Sequence, residues 1–231
     1  MEAIILAGGK GTRLKAVVSD VPKPMALVKR APFLTYLLRY LSNNGVTHIV
    51  ISTGYLGNVI RDYYGTFFDG LRINYSHEDA PLGTGGAIMK ALKLCKDNNV
   101  IVLNGDTYFE VDIKALYYHH TRKKADITMA LKRMSNTDRY GTVEIAGHRV
   151  TAMHEKQRAE SGYINGGVYC LRHGLLEDLE CPKEFSFEAM MQGNIGNLHI
   201  CGLVSSGNFI DIGVPEEYAN AQELIPEWIK L

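Results

Sequence analysis

Short apolar runs alternate along the first half of the chain with segments in which apolar residues recur every three or four positions. A short apolar run is typical of a buried strand, and the three-to-four spacing is typical of a helix with one buried face. Such alternation favours the α/β class, with a Rossmann-like, mostly parallel sheet and helices on both faces. The pattern predicts strands over residues 3–6, 48–52, 71–76 and 100–103, and helices over residues 33–41, 56–64 and 87–95.

In the second half of the chain, strands follow one another instead. They are predicted over residues 127–132, 142–145, 150–154 and 163–171, as a β-rich part that covers the substrate side of the sheet. A strand over residues 208–212 is predicted to return to the main sheet, and a helix over residues 215–224 to begin with Pro215 in its first turn. We expect a single domain, residues 1–231, with a core of about residues 1–110 plus 205–231 and a β-rich part of about residues 111–204.

Composition narrows the class of protein. The 25 Lys and Arg residues equal the 25 Asp and Glu residues, so no overall field would attract nucleic acid or an acidic membrane. The chain has neither a signal-peptide start nor an apolar run as long as a membrane span, and we expect a cytoplasmic protein.

The histidines, including the pair His119 and His120, have no metal-ligand spacing. No Cys-x-x-Cys spacing supports a zinc site or a disulfide framework, and free thiols, buried or partly buried, are expected at Cys95, Cys170, Cys181 and Cys201.

A glycine-rich loop directly after the first predicted strand is the strongest chemical signal. Residues 8–14 read Gly-Gly-Lys-Gly-Thr-Arg-Leu, and residues 22–24 read Pro-Lys-Pro. Glycines let successive backbone N–H groups turn toward an anion, and Arg13 and Lys23 supply positive charge suited to phosphate oxygens. The spacing fits neither the P-loop nor the dinucleotide-binding fingerprint. A surface turn with an incidental arginine would explain the glycines alone, but not the whole pattern, which predicts a cradle for a nucleoside triphosphate.

Five ordered motifs resemble one family. Besides the glycine-rich loop with Pro-Lys-Pro, they are residues 81–87, 104–107, 155–156 and 209–213. Together they resemble the sugar-1-phosphate nucleotidylyltransferases, whose nucleotidyltransferase fold is similar to the GT-A glycosyltransferases. Residues 139–143, 164–169 and 211–216 are most similar to the D-glycero-D-manno-heptose 1-phosphate guanylyltransferases within that family.

The resemblance implies a magnesium-dependent enzyme that transfers a nucleotidyl group from GTP, or another nucleoside triphosphate, to a sugar 1-phosphate and releases pyrophosphate. The sugar implied first is D-glycero-α-D-manno-heptose 1-phosphate, and the product would supply surface polysaccharides such as lipopolysaccharide, capsule or S-layer glycan. The attacking phosphate is largely ionised already, so the reaction needs charge neutralisation and alignment more than a general base.

The resemblance assigns Mg²⁺ to Asp106 and Asp211, and the catalytic role to Arg13 and Lys23. Asp106 could instead be a turn residue after Asn-Gly, whereas Asp211, between two isoleucines, is harder to explain without a partner. Thr84 could also cap a helix N-terminus, a role that is compatible with contact to the nucleotide. The implied nucleotide-binding residues are Leu6, Ala7, Gly8, Gly9, Gly11, Thr12, Arg13, Lys23, Leu82, Gly83, Thr84, Gly86 and Asp106.

The sugar phosphate is assigned by the same resemblance to the β-rich part. Lys156 would hold the phosphate, although its charged neighbours are equally typical of a solvated turn, and Gln157 stands where a proline is common in the family. Tyr140 and Asn165 could equally be a packed phenol and a turn residue. The implied sugar-phosphate-binding residues are Tyr140, Gly141, Glu155, Lys156, Asn165 and Gly166.

Three alternatives remain open. The same reaction could use mannose 1-phosphate or glucose 1-phosphate with GTP, UTP, CTP or dTTP. A GT-A glycosyltransferase also has a metal-binding Asp after a strand, but its sugar-nucleotide donor has no γ-phosphate for Arg13 and Lys23 to hold. A non-catalytic nucleotide-sugar sensor would be expected to lack one of the metal or phosphate ligands. Assembly into a homo-oligomer is left open by the sequence.

Overall fold

The structure, a computed structural model, describes residues 1–9, 14, 20–135, 137–156 and 160–230, with the backbone alone for Lys156. A short 3₁₀-helix, Lys23–Met25, precedes the second strand. The strands are β1 (Glu2–Ala7), β2 (Leu27–Val28), β3 (Ala31–Pro32), β4 (His48–Thr53), β5 (Phe67–Phe68), β6 (Leu71–His77), β7 (Asn99–Asn104), β8 (Thr107–Phe109), β9 (Ile127–Ser135), β10 (Gly141–Ala146), β11 (Arg149–Lys156), β12 (Ser161–Arg172), β13 (Ile200–Ser205) and β14 (Phe209–Asp211). The helices are α1 (Phe33–Asn43), α2 (Gly57–Tyr64), α3 (Gly83–Leu92), α4 (Ile113–Lys123), α5 (Leu175–Asp178), α6 (Phe187–Gly193) and α7 (Pro215–Trp228).

One ten-stranded sheet runs through the molecule in the order β10-β11-β13-β9-β12-β7-β1-β4-β6-β5. Strands β7, β1, β4 and β6 are parallel neighbours, as the alternating strand–helix pattern predicts. Strand β12 runs antiparallel between β7 and β9, and β13 is parallel to β9. The carboxyl ends of β1, β4, β6, β7, β9 and β13 therefore lie at the same edge of the sheet. The predicted α/β fold class is confirmed, and the β-rich part extends the same sheet.

Helices cover both faces of this sheet, as predicted. Side chains alternate along a strand, so Ala3 and Ile5 of β1 pack on one face and Ile4 on the other. The first face carries apolar residues from α1, α2, α4 and α7, and the second carries those from α3, α5 and α6. Two apolar layers thus hold the central strands in place and leave their carboxyl ends for ligands.

The strand predicted to return to the main sheet does not do so. Strand β14 instead pairs with β8 in a separate two-stranded sheet, with Asp211 opposite Thr107. The alternation of apolar residues predicts a strand but does not specify its partner, and β8 leaves the main sheet at the turn after β7. The amide of Ile212 donates a hydrogen bond of 3.0 Å to the carbonyl of Asp106. This pairing places Asp211 beside that turn.

Other boundaries also differ from the pattern. Helix α3 begins four residues earlier than predicted, at Gly83, because its glycines let Phe185 pack against the first turn. Helices α4, α5 and α6 and strand β13 were not predicted. All four cysteines are free thiols, three of them buried, as expected. Among the described residues, no helix combines the length and the apolar character needed to cross a membrane.

Candidate active site

A cavity of ≈ 600 Å³ opens at the carboxyl ends of β1 and β7. The turn after β7 closes one side of it, where the amide of Gly105 donates to the carbonyl of Leu6 at 2.9 Å. The Pro-Lys-Pro segment and the first turn of α3 form further walls. The lining residues are Leu6, Ala7, Gly8, Gly9, Lys23, Pro24, Glu78, Pro81, Gly83, Thr84, Ala87, Asn104 and Asp106.

Two charged side chains, Lys23 and Asp106, line the cavity, and Asp211 lies close to both of them. Lys23 Nζ lies 2.7 Å from Asp106 Oδ2, and the lysine side chain is only 11% exposed. Asp211 Oδ1 accepts a hydrogen bond of 2.7 Å from the amide of Gly213. Burial raises the pKa of Asp211, and the nearby carboxylate of Asp106 raises it further, while the Gly213 amide, Lys23 and Arg139 act in the opposite direction. The two carboxylates are therefore close enough to repel one another.

This arrangement fits a divalent cation. Lys23 neutralises one carboxylate, and the second raises the local negative charge in a partly buried place. Two neighbouring carboxylates are a ligand set that Mg²⁺ takes, with water and phosphate oxygens in its other positions. The raised pKa of Asp211 is the structural sign that another positive charge would be favourable here.

The first turn of α3 is held by the segment just before α6. The amide of Gly85 donates to the carbonyl of Phe185, and the amide of Phe185 donates to the carbonyl of Leu82, both at 3.0 Å. Gly83 has φ +69°, and a Cβ there would overlap the Phe185 carbonyl. The capping role considered for Thr84 is not observed, because its hydroxyl donates a hydrogen bond to the Glu188 carboxylate at 2.7 Å. The cavity wall is thus a rigid, glycine-lined backbone surface.

On the β-rich side, Tyr140 lies close enough to Asp211 to feel its charge. Its ring contacts Phe209 edge-on, with centroids 5.7 Å apart, and Arg139 lies 5.5 Å from its centroid. Burial, followed by the charge of Asp211, raises the pKa of Tyr140 to about 12, so the phenol keeps its proton at neutral pH. The protonated phenol of Tyr140 can therefore donate a hydrogen bond near Asp211.

A bulge in β12 positions a second polar side chain of the β-rich part, Asn165. The register of β12 against β9 shifts between Asn165 and Tyr169. The Asn165 amide donates to the Tyr169 hydroxyl at 2.7 Å and accepts from the Gly167 amide at 3.0 Å. Gly167 has φ +71° and approaches Asn104 at the end of β7. Asn165 therefore shapes the backbone between the cavity and the β-rich part.

Comparison with known proteins identifies this arrangement. The sequence model of the family described as "Nucleotidyl transferase" matches residues 2–226. The chain belongs to the nucleotidyl transferase family.

Several characterised nucleotidyl transferases are similar to this one over their full length. A D-glycero-alpha-D-manno-heptose 1-phosphate guanylyltransferase of Aneurinibacillus thermoaerophilus is 44% identical over 230 residues, which cover 99% of this chain and 100% of the relative. One of Campylobacter jejuni is 42% identical, over 94% of this chain and 97% of the relative. The crystal structure of HddC from Yersinia pseudotuberculosis complexed with GMP-PN has a TM-score of 0.86 at 37% identity, covering 96% of this chain and 98% of that one.

The nucleotidyl transferase cavity contains eight of the thirteen residues assigned to nucleotide from the sequence, namely Leu6, Ala7, Gly8, Gly9, Lys23, Gly83, Thr84 and Asp106. Leu82 and Gly86 instead line a neighbouring cavity, because the turn of α3 points them away. Gly11, Thr12 and Arg13 lie outside the described residues, so their roles stay predictions. The same holds for the side chain of Lys156, whose backbone pairs with Gly141. Glu155 is exposed, and Gly166 packs against Phe109.

Glu78 also lines the cavity, although the sequence motifs did not predict it as a site residue. Glu78 follows the carboxyl end of β6, next to β4 in the parallel half of the sheet. Its Oε1 accepts from the Ser52 hydroxyl and its Oε2 from the Leu82 amide, both at 3.1 Å. A polar residue after a parallel strand was the signal that could have found it. Pro24, Pro81, Ala87 and Asn104 also line the cavity, and all four fall inside the recognised motifs.

Proposed function

We propose that this nucleotidyl transferase transfers a guanylyl group from GTP to D-glycero-α-D-manno-heptose 1-phosphate, giving GDP-heptose and pyrophosphate. The observation that carries the proposal is the cavity at the ends of β1 and β7, which Lys23 and Asp106 line, with Asp211 close to Asp106. Full-length similarity to two heptose 1-phosphate guanylyltransferases supports the choice of substrates. Because GTP is consumed, the reaction belongs in the cytoplasm.

In this proposal, residues of the chain align the α-phosphate of GTP with the phosphate group of the sugar. Asp106 and Asp211 would hold Mg²⁺, which supplies charge neutralisation between the α-phosphate and the attacking sugar phosphate. Lys23, already fixed by Asp106 at 2.7 Å, would contact the triphosphate, and Arg13 would stabilise the departing pyrophosphate. The nucleophile is an ionised phosphate oxygen, so no side chain has to remove a proton from it.

The carboxylate of Glu78 is suited to recognise guanine through hydrogen bonds. Guanine presents two neighbouring donors, N1–H and the exocyclic amine, which a carboxylate can accept together. Glu78 lines the cavity, and its two oxygens are oriented by Ser52 and the Leu82 amide, which leaves further lone pairs for a base. Uracil, thymine and cytosine cannot present the same pair, and adenine would place an acceptor against the carboxylate. We expect this mismatch to discriminate strongly, because buried polar groups would remain unpaired.

The sugar would lie on the β-rich side. Tyr140, beside Asp211, and Asn165, on the β12 bulge, are the described polar groups nearest to the sugar phosphate in this proposal, and Lys156 would bind its phosphate. The division into a nucleotide-binding core, about residues 1–110 plus 205–231, and a sugar-binding part, about residues 111–204, is part of the same proposal. Mannose 1-phosphate, which lacks the seventh carbon, is the second candidate substrate.

A substrate panel tests the proposal. Purified protein with Mg²⁺ is given GTP, ATP, UTP, CTP or dTTP together with heptose, mannose or glucose 1-phosphate, and pyrophosphate and the sugar nucleotide are measured. We expect GTP to exceed every other nucleotide by at least about tenfold in kcat/KM, equivalent to about 1.4 kcal/mol, and heptose 1-phosphate to be the best acceptor.

Each failure has a distinct meaning. A preference for UTP or dTTP refutes guanylyl transfer but not the reaction class. Mannose 1-phosphate as the best acceptor refutes the heptose assignment. No pyrophosphate from any pair refutes catalysis and favours a sensor. The variant Asp106→Asn should be inactive, and Asp62→Asn, an exposed change on α2, serves as its control.

A further inference from the structure

Two histidines and a cysteine meet at the edge of the β-rich part. His148 lies in the turn between β10 and β11, His199 directly precedes β13, and Cys201 is the second residue of β13. Their candidate ligand atoms all lie within 4.8 Å of one another. The closest pair is His199 Nε2 and Cys201 Sγ, 3.5 Å apart. Three donor atoms at this separation can converge on one ion after small side-chain rotations.

Backbone contacts hold the three residues in these positions. The amide of Gly202 donates to the carbonyl of His148 at 2.8 Å, and Arg149 is the partner of Cys201 between β11 and β13. The amide of His199 donates to Asp126 Oδ2 at 3.0 Å. The side chains therefore project from a fixed frame rather than from a free loop, as a metal site requires.

A fourth donor lies next to the cluster. The ring of His119, on α4, has its centroid 6.1 Å from that of His148. Its Nε2 is buried and has no hydrogen-bond partner among the residues that the structure describes. An unsatisfied buried nitrogen of this kind calls for a partner.

The cluster is separate from the catalytic edge of the sheet. His199 and Cys201 stand at the start of β13, which runs parallel to β9, whereas the cavity lies at the carboxyl ends of the strands. An ion here could not contact the substrates of the proposed reaction. It would instead join the β10–β11 turn to the start of β13 and, through His119, to the end of α4.

We propose that His148, His199 and Cys201 form a structural Zn²⁺ site, with His119 as the fourth ligand. Two or three imidazoles and one thiolate suit zinc in tetrahedral geometry, whereas Mg²⁺ and Ca²⁺ prefer oxygen ligands. Binding releases the Cys201 thiol proton to solvent.

Cobalt provides a probe that reports the thiolate directly. The metal-free full-length protein is titrated with Co²⁺, and thiolate coordination gives a near-ultraviolet charge-transfer band that the oxygen ligands of the catalytic site cannot produce. We expect the band with one Co²⁺ per chain, and its displacement by Zn²⁺. At a Zn²⁺ concentration about a hundredfold above Kd, Tm should rise by about 5–10 °C.

Variants locate the site. Cys201→Ser should abolish the band, and His148→Gln should weaken Zn²⁺ binding by at least about tenfold. Cys181→Ser, a partly buried cysteine outside the cluster, is the control and should keep both. If Cys201→Ser fails to fold, His148→Gln, in an accessible turn, decides the question. The absence of the band in the unmodified protein, or Zn²⁺ binding unchanged in His148→Gln, would overturn the proposal.

Discussion

Replacing Asp211 by asparagine should leave the metal-free protein at least as stable as before while removing most of its turnover. In the metal-free state, the Asp211 carboxylate is partly buried and lies beside Asp106, which raises its pKa. Asparagine keeps the oxygen that accepts the Gly213 amide at 2.7 Å, and it removes the repelling charge. Asp106→Asn should behave differently, because it leaves the mostly buried Lys23 without its partner at 2.7 Å.

The size of the difference follows from how deeply the ion pair is buried. Exposed ion pairs contribute about 0–1 kcal/mol, and breaking a buried pair costs about 3–5 kcal/mol. Lys23 is 11% exposed and Asp106 32% exposed, so the pair lies between these limits. We expect Asp106→Asn to cost about 2 kcal/mol, or about 4–8 °C in Tm for a chain of this length. Both variants should lose at least about a hundredfold in kcat.

The stability effect of Asp211 should also depend on pH. A carboxyl whose pKa is raised by folding stabilises the native state when protonated, below its ordinary pKa, and this contribution is lost as pH rises through the raised value. The Tm of Asp211→Asn relative to the unmodified protein should therefore increase as pH rises from the ordinary pKa of an aspartate, about 4, through the raised value.

Scanning fluorimetry without metal and pyrophosphate release with Mg²⁺ measure both effects on the same preparations. The reasoning is refuted if Asp211→Asn destabilises the metal-free protein as much as Asp106→Asn does. Near-normal turnover in either variant would remove that residue from the metal site.

Three further predictions concern the nucleotide, the sugar phosphate and the cavity wall. Glu78→Gln should lower kcat/KM for GTP by at least about tenfold and leave UTP almost unchanged, and equal losses would contradict guanine recognition. Lys156→Ala should raise KM for the sugar phosphate more than it lowers kcat, and an effect confined to GTP would contradict its role. Gly83→Ala should lower Tm by about 4–8 °C more than Gly147→Ala. Both glycines have positive φ, but only at Gly83 would the added methyl group overlap the Phe185 backbone. Equal losses of Tm in the two variants would contradict this reasoning.

The sequence alone was sufficient for the features that depend on neighbouring residues. Apolar periodicity predicted the central strands of the parallel half and helices α1 and α2, because burial of one face acts over only a few residues. The position of the glycine-rich loop after β1 and of Asp106 after β7 followed from the same pattern. Because parallel strands place their carboxyl ends at one edge of the sheet, the same pattern puts the loop and Asp106 at the same edge.

Tertiary structure decided everything that depends on which segments become neighbours. Strand β14 pairs with β8 and not with the main sheet. This pairing places Asp211 close to Asp106, which lies 105 residues earlier in the chain. Glu78 lines the cavity because β6 lies beside β4. His148 lies near Cys201 because β11 pairs with β13. A strand's alternation specifies which of its faces is buried but not which edge it will pair with. Partner choice is settled by the packing of the whole sheet and its helices, and no local pattern contains that information.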